Sequence, residues 1–221
     1  VRPLRSPRHA CWAQRHRHAH AHRELLFVLG GNGIQSVGGE FYPERPGTVF
    51  LFDAMEEHAL NYPPGHAAAE HLWLLFVQDR VLAVCRRIGI GRRASGEVWR
   101  RWFTLGELGL ASGDLLFPGP VAAGAPTETG LARVRAGVAL LAASLAAWAE
   151  RPPAAERPGR DDLMAMIRRH IREADGKGCR LDTLARLAGY GKFHFLRLFK
   201  AQAGVTPHRY AERCRREAYE R

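Results

Sequence analysis

Two hydrophobic patterns divide this 221-residue sequence, and the change between them limits its fold more than any other feature. Short apolar runs bounded by turns rich in Gly and Pro come first, at residues 24–29, 34–37, 40–42, 48–52 and 71–77. Such runs predict β-strands, and their spacing predicts a small antiparallel barrel or sandwich. Residues 79–88 are predicted to be helical, and helical spacing is clear from residue 131 onward. The sequence therefore predicts an α+β fold with the strands before the helices.

Apolar residues recur at alternating steps of three and four between residues 131 and 148. This spacing places them on one side of a helix; they are Leu131, Val134, Val138, Leu141, Leu145 and Trp148. A narrow stripe suits the seam between two helices, although this one is short for a coiled coil. Two alternatives stay open: the helix packs on its own domain, or it joins two copies of the chain in a homodimer.

Positive charge is concentrated at the carboxyl end. The whole sequence has a formal net charge of +11, and residues 161–221 contain 14 Lys and Arg against 8 Asp and Glu. A basic segment of this kind favours a polyanionic partner, with nucleic acid first and an anionic membrane surface second. Three prolines within residues 151–159 separate the segment from the rest of the chain and predict a linker.

The cysteines and the apolar runs indicate a cytoplasmic protein without a membrane-spanning segment, and no membrane partner is expected. The four cysteines are scattered, which predicts neither a disulfide framework nor a thiolate zinc site. The longest uncharged apolar run, residues 136–149, is shorter than the roughly 18 residues that cross a bilayer. The basic amino terminus lacks the apolar segment of a signal peptide. Because the chain starts with Val and ends inside an apparent helix, we expect it to be a fragment.

The carboxyl segment is predicted to contain a helix-turn-helix. A first helix is expected to begin at Asp161 and Asp162, and a second to span residues 183–188 with Asp182 as its N-cap. A turn with two glycines, residues 189–191, then precedes a helix over residues 192–203. A short helix, a tight turn and a second helix is the arrangement of many DNA-binding proteins.

The helix over residues 192–203 has two different faces. Phe195, Leu198 and Phe199 share one side and are predicted to be buried. Cations and apolar side chains share the other side, an unusual mixture for a solvated surface that suits the phosphates, guanines and thymine methyl groups of a DNA major groove. The predicted DNA-contacting residues are Lys192, Phe193, His194, Leu196, Arg197 and Lys200.

Residues 189–210 resemble the first helix-turn-helix of AraC/XylS-type transcription regulators. The similarity rests on Phe199-Lys200, Gly204, Thr206-Pro207 and Tyr210. It implies that Pro207 opens a linker helix and that Tyr210 packs beneath the recognition helix. Gly191 stands where the family usually has Ser, so that helix is expected to lack a side-chain cap. The family has two such motifs, and the sequence ends after the first, so weak and salt-sensitive DNA binding is expected of a monomer.

Histidines alternate ahead of the first predicted strand. His16, His18, His20 and His22 precede Glu24 at a spacing of two, which would place them on one face of a strand. The run resembles the first cupin motif, followed by Gly30 or Gly31, and Pro46-Gly47 with His58 resembles the second. Cupin barrels serve as the effector-sensing domain in many AraC-type regulators, so the two resemblances support each other.

The cupin resemblance leaves three interpretations of the histidines. His18, His20, Glu24 and His58 could bind Fe, Mn, Ni or Zn, or the same side chains could line and hydrogen-bond a polar pocket without a metal. A partly disordered leader rich in His and Arg is the third. No cofactor is expected, and a divalent metal is kept as the alternative.

The run of residues 71–76 resembles a segment that contributes sugar contacts in arabinose-sensing members of the family. His71 and Trp73 match its inward positions, and a Trp face suits stacking on a sugar ring. A core Trp is the alternative. The predicted effector-binding residues are His20, Glu24, His58, His71 and Trp73.

Together these features predict three regions: a cupin-like effector-sensing domain at 1–117, a dimerisation helix and linker at 118–158, and the first half of a DNA-binding unit at 159–221. The expected function is a DNA-binding transcription regulator controlled by a small molecule, with a sugar as one class, and without catalysis. The alternatives are a metal-dependent cupin enzyme and a truncated dimerising sensor that does not itself bind DNA.

Overall fold

Antiparallel strands build the amino-terminal half of the protein. The computed structural model describes residues 7–61, 68–89, 96–111, 128–150 and 159–221, and within these ranges it contains eight strands. They are β1 (Arg23–Gly30), β2 (Gly33–Val37), β3 (Glu40–Glu44), β4 (Val49–Phe52), β5 (His58–Asn61), β6 (Ala69–Val77), β7 (Arg80–Ile88) and β8 (Gly96–Thr104). One sheet has the order β4-β1-β6-β7-β8 and the other β3-β2-β5. Antiparallel sheets followed by helices confirm the α+β class.

The prediction of a helix at residues 79–88 is wrong. Strand β7 follows β6 through a turn at residues 78–79 and pairs with it along its whole length. Consecutive side chains from Val81 to Cys85 are buried, so both faces of β7 are covered. A strand buried on both faces has a continuous apolar sequence, which periodicity alone cannot distinguish from a buried helix.

The five-stranded sheet is covered on both faces. Along β6, Leu72, Leu74 and Phe76 point to one face, while Trp73 and Leu75 point to the other, as the period of two in a strand requires. The Leu74 face packs with a short 3-10 helix at Gly106–Leu108 and with a long helix. The Trp73 face belongs to a core that continues into the carboxyl-terminal helices.

The long helix α2 (Glu128–Glu150) packs on its own domain through part of the predicted stripe. Leu141 is fully buried and Leu145 is nearly so, and half-buried Val138 lies beside them. Leu140 is 46% exposed on the remaining surface of the helix. A homodimer through residues 131–148 stays a prediction, and the predicted linker as far as residue 158 lies outside the described residues.

Helices α3 (Arg160–Glu173), α4 (Leu181–Leu187), α5 (Lys192–Ala203) and α6 (Pro207–Tyr219) occupy residues 159–221. Asp161 and Asp162 lie in the first turn of α3, as the sequence predicts. The prediction of Asp182 as an N-cap is wrong: α4 begins two residues earlier than predicted, and Arg180 is the N-cap without a side-chain hydrogen bond. Asp182 instead lies in the first turn, where its charge favours the helix dipole.

Polar contacts connect the helices to the five-stranded sheet. Arg100 on β8 donates a hydrogen bond of 2.6 Å from Nη1 to the main-chain carbonyl of Arg186 at the end of α4. Gln78, in the turn between β6 and β7, donates to Glu173 Oε2 of α3 at 2.9 Å. Hydrogen bonds therefore connect the helices to the sheet at two places, from β8 to α4 and from the β6–β7 turn to α3. Among the described residues no helix has both the length and the apolar character of a bilayer span, and Cys85, Cys179 and Cys214 are free thiols.

Candidate functional site

Three histidines and one glutamate converge beside the start of β1. His20 and His22 come just before this strand, Glu24 is its second residue, and His58 is the first residue of β5. Glu24 Oε1 lies 2.9 Å from His22 Nε2 and 3.4 Å from His20 Nε2, and Glu24 Oε2 lies 3.7 Å from His58 Nε2. All four side chains are buried. The fold thus surrounds one buried carboxylate with imidazoles.

The histidine segment is not the strand that the sequence predicts. His16 ends helix α1 (Pro7–His16), and His18 forms only an isolated antiparallel bridge with His58, through hydrogen bonds of 2.9 Å and 3.0 Å. The following residues are pressed against the loop between α3 and α4. Gly178 in that loop has φ +61°, and an added Cβ would lie 3.1 Å from His20 Cα. This segment therefore packs against the loop between α3 and α4 instead of pairing along a sheet.

Burial determines the charge of the cluster. It lowers the pKa of His20 to about 3, although Glu24 attracts the proton. Burial would raise the pKa of Glu24, but the hydrogen bond from His22 and the nearby His58 hold that pKa well below its ordinary value. Glu24 is consequently a carboxylate beside a neutral His20. Within the part of the chain that the structure describes, His20 Nε2 and His58 Nε2 have no hydrogen-bond partner.

The donor set fits a divalent metal. Two groups of side chains hold their candidate ligand atoms within 4.8 Å of one another: His18, His20 and His58, and His20, His22 and Glu24. Neutral imidazoles and a carboxylate are ligands for Zn, Fe, Mn and Ni. A metal ligand also needs a free lone pair. The buried Nε2 atoms of His20 and His58 have one, because among the described residues no hydrogen bond occupies it.

A cavity of about 60 Å³ lies next to this cluster. His18 and Glu24 form one side, and β6 and β7 contribute the apolar wall of Trp73, Leu75 and Val84. Two arginines complete the lining: Arg86 of β7 and Arg186 of α4. The cavity is therefore shared between the sheet and the carboxyl-terminal helices, and it has room for a small ligand or a few water molecules.

The predicted effector-binding residues do not all reach this cavity. Glu24 and Trp73 line it, and His20 and His58 lie in the adjoining cluster. His71 is instead buried against Glu44 of β3, with 3.2 Å between Nε2 and Oε2.

Sequence reasoning missed both arginines and His22 as members of the site. Arg86 was hidden because β7 is misread as a helix, and Arg186 because only docking of α4 brings it to the sheet. His22 was available from the histidine spacing, but the cupin pattern does not include it.

The helix α5 presents the second candidate surface. It spans Lys192–Ala203, the same residues that the sequence predicts, and Phe195 and Phe199 are fully buried. The candidate DNA-contacting residues lie on its other side, where Leu196 is half-buried and the rest are exposed: Lys192, Phe193, His194, Arg197 and Lys200. Phe193 is 81% exposed, an unusual position for a large apolar side chain.

The residues on either side of α5 adopt the geometry that the resemblance implies. Gly191 is the N-cap and offers no side-chain hydrogen bond. Pro207 is the first residue of α6, whose N-cap Thr206 accepts a hydrogen bond from the Arg209 main-chain N–H. Tyr210 is buried, with its ring 5.6 Å from that of Phe199. A short helix, a turn and an amphipathic helix thus share one core with α6.

The family described as the AraC-like ligand binding domain matches residues 5–111. These residues correspond to an AraC-like ligand-binding domain. The match spans the two sheets, the histidine cluster and Arg86 of the cavity, but it ends before α2. It supports a sensor domain at the amino terminus and extends no further along the chain.

Curated relatives of the chain cover only a short stretch. L-ectoine synthase from Vibrio campbellii is 45% identical over 47 residues, which is 21% of this chain and 37% of that protein. L-ectoine synthase from Vibrio cholerae is 42% identical over 49 residues, 22% of this chain and 36% of that protein. The chain therefore covers little more than a third of the length of these relatives.

A solved structure is also similar in part. It is described as a putative sugar phosphate isomerase from Acidithiobacillus ferrooxidans, with 16% identity and a TM-score of 0.25 over 41% of this chain and 58% of that one.

Proposed function

We propose that the protein is a cytoplasmic transcription regulator in which a small effector, bound by the AraC-like domain, controls DNA binding by the carboxyl-terminal helices. In this proposal α4 and α5 form a helix-turn-helix, α5 enters the major groove, and the chain performs no catalysis. A homodimer through the helix of residues 131–148 would present two helix-turn-helix units to DNA. Part of the apolar stripe of this helix packs within the chain, so the dimer would use the side that stays exposed.

One observation carries the proposal: α5 is anchored by two buried phenylalanines and turns cations and a bare aromatic ring outward. Lys192, Arg197 and Lys200 are exposed along the same helix as the 81% exposed Phe193. Arg and Lys bind phosphates and guanine, and an apolar ring can contact a thymine methyl group. The match of residues 5–111 to the AraC-like domain supports the sensing half of the proposal.

Replacing Arg197 with alanine is expected to weaken DNA binding about tenfold, because a base or phosphate contact is lost. The slope of log K against log salt should also decrease by about one if the partner is a phosphate. The measurement is fluorescence anisotropy with duplexes selected by the chain from a random library, repeated at several salt concentrations.

The matched control is Arg135→Ala, which removes the same charge from an exposed position on α2. It should leave both affinity and salt slope unchanged. Equal losses in the two variants would indicate only a general charge effect and would contradict the role of α5. Absence of any salt-dependent binding by the unaltered chain would favour a dimerising sensor that does not bind DNA.

A second candidate function is a metal-dependent cupin enzyme. The buried His and Glu groups favour it, and the curated relatives with short matches are enzymes by name. His18, His20, Glu24 and His58 would hold the metal, which would supply Lewis acidity toward a bound substrate. The apolar wall and the arginines of the cavity would orient that substrate.

Metal binding has a direct test. If this second function holds, the chain purified after loading with Fe, Mn, Ni or Zn should retain about one metal ion per chain, and His20→Ala with His58→Ala should abolish retention. His194→Ala removes an exposed histidine and serves as the control. Mass spectrometry of the metal content gives the readout, and a metal content near zero in the unaltered chain would contradict the enzyme function.

A further inference from the structure

Two arginines from distant parts of the chain share the cavity. Arg86 belongs to β7 and Arg186 to α4, and both line the same space. Both are partly buried, and Arg186 Nε is shielded from solvent with no hydrogen-bond partner among the described residues. Across the ranges that the structure describes, neither guanidinium has an Asp or Glu within ion-pair distance. Glu97 lies opposite Arg86 across the strands but is itself paired with Arg100 at 2.7 Å, so the cavity holds two arginines against the one carboxylate of Glu24.

Glu24 also lines the cavity, and its carboxylate offsets part of the charge of the two arginines. It accepts a hydrogen bond from His22 Nε2 at 2.9 Å, and His20 and His58 face its oxygens. Burial and then the charge of Arg186 lower the pKa of Arg86, and the opposing attraction of Glu97 and Glu24 does not cancel this decrease. Like charges that are partly removed from water are costly unless an anion joins them.

The lining indicates the chemistry of the missing anion. Guanidinium groups bind carboxylates through paired N–H donors. Trp73, Leu75 and Val84 offer an apolar wall to the rest of the molecule. A cavity of about 60 Å³ admits only a few non-hydrogen atoms. A short-chain carboxylate would contact the guanidinium groups through its oxygens and the apolar wall through its carbon chain. Inorganic phosphate would leave the apolar wall without a partner.

We propose that a small carboxylate binds between Arg86 and Arg186, and that it thereby ties the carboxyl-terminal helices to the sheet. Arg86 is part of β7, and Arg186 is part of α4. The last turn of α4 also accepts the hydrogen bond from Arg100 of β8. An anion that contacts both arginines stabilises the docked arrangement over any other. Binding and docking are then coupled reciprocally. The control of DNA affinity rests on the proposed function, but the carboxylate site does not.

The site is tested on the full chain by thermal unfolding and isothermal calorimetry with propionate and butyrate. Propionamide and butyramide are the neutral controls, sodium chloride matches the ionic strength, and inorganic phosphate forms a separate arm. A carboxylate should raise the melting temperature, and the amides and chloride should not. Stabilisation by phosphate equal to that by carboxylate, or by none of the anions, would overturn the proposal.

Variants then locate the site. Arg86→Met and Arg186→Met should each lower carboxylate affinity at least about tenfold, because each removes a charge-assisted hydrogen-bond pair. Arg186→Lys keeps the charge and should bind the carboxylate with intermediate affinity. It keeps the test decisive if the Met variant fails to fold. Arg133→Met on exposed α2 is the matched control and should change nothing. Unchanged affinity in both Arg186 variants would overturn the proposal.

DNA affinity measured with and without butyrate separates this inference from the proposed function. A butyrate-dependent shift in DNA affinity that Arg186→Met abolishes supports both. Carboxylate binding in a chain that binds no DNA keeps the site and contradicts the proposed function. DNA binding without any carboxylate binding contradicts the site alone.

Discussion

Replacing Phe199 with alanine is expected to lower the free energy of unfolding by about 3–5 kcal/mol, the usual cost of removing a buried aromatic ring. Phe199 is fully buried, with its ring centre 5.7 Å from that of Phe195 and 5.6 Å from that of Tyr210. The ring lies where α5 and α6 meet the shared core, and a packed core relaxes only partly into the cavity that such a substitution leaves. Urea denaturation followed by circular dichroism measures the change.

Phe193→Ala is the matched control on the same helix. Phe193 is 81% exposed, so the free energy of unfolding should change by less than about 0.5 kcal/mol. The same variant should weaken DNA binding if α5 enters the major groove. A large loss of stability in Phe193→Ala, or a negligible one in Phe199→Ala, would contradict the assignment of the inner and outer faces of α5.

Acid should destabilise the protein between about pH 6.5 and pH 4. Burial, and then the proximity of His22, lower the pKa of His170 to about 4 in the folded chain, whereas an unfolded histidine titrates near 6.5. Above pH 6.5 the residue is neutral in both states, so stability does not depend on its titration. As the pH falls through this window the unfolded chain takes up the proton first, and stability decreases.

The expected loss from His170 alone approaches about 3 kcal/mol at pH 4, from a difference of roughly 2.5 pKa units. His20 adds to it, because burial lowers its pKa to about 3. The measurement is urea denaturation at several pH values in the presence of a metal chelator. His170→Leu should flatten the dependence, and His194→Gln, at an exposed position, should not. A stability that stays constant from pH 7 to pH 4 would contradict the neutral burial of His170.

Local patterns were sufficient for some elements of the fold. Strands β1 to β4 and β6 lie within two residues of their predicted bounds, and α5 coincides with its prediction. Gly or Pro residues mark turns beside several of them, and α5 keeps a buried and an exposed side. Strand β7, like β6, is buried on both faces, so its apolar run could not be distinguished from that of a buried helix.

The candidate site was predictable only in part. The spacing of His18, His20 and Glu24 identified the cluster, because residues close in sequence remain close in space. His71 was predicted to bind the effector, but the structure places it elsewhere. Its side chain lies against Glu44, a buried residue of another strand. The role of Arg186 depends on α4 docking against a sheet about a hundred residues earlier, which no local pattern encodes.

The sequence by itself determined which residues are apolar at each period, and therefore the α+β class and the two faces of α5. Those properties depend on bonds and side chains within a few residues of one another. Only the tertiary structure decided that His22 meets His170 and that Arg86 meets Arg186. These contacts join segments that are remote along the chain. The free-energy cost of burying the charged groups depends on how deeply they are buried and on which groups lie beside them, and both are determined only when the sheet and the helices pack together.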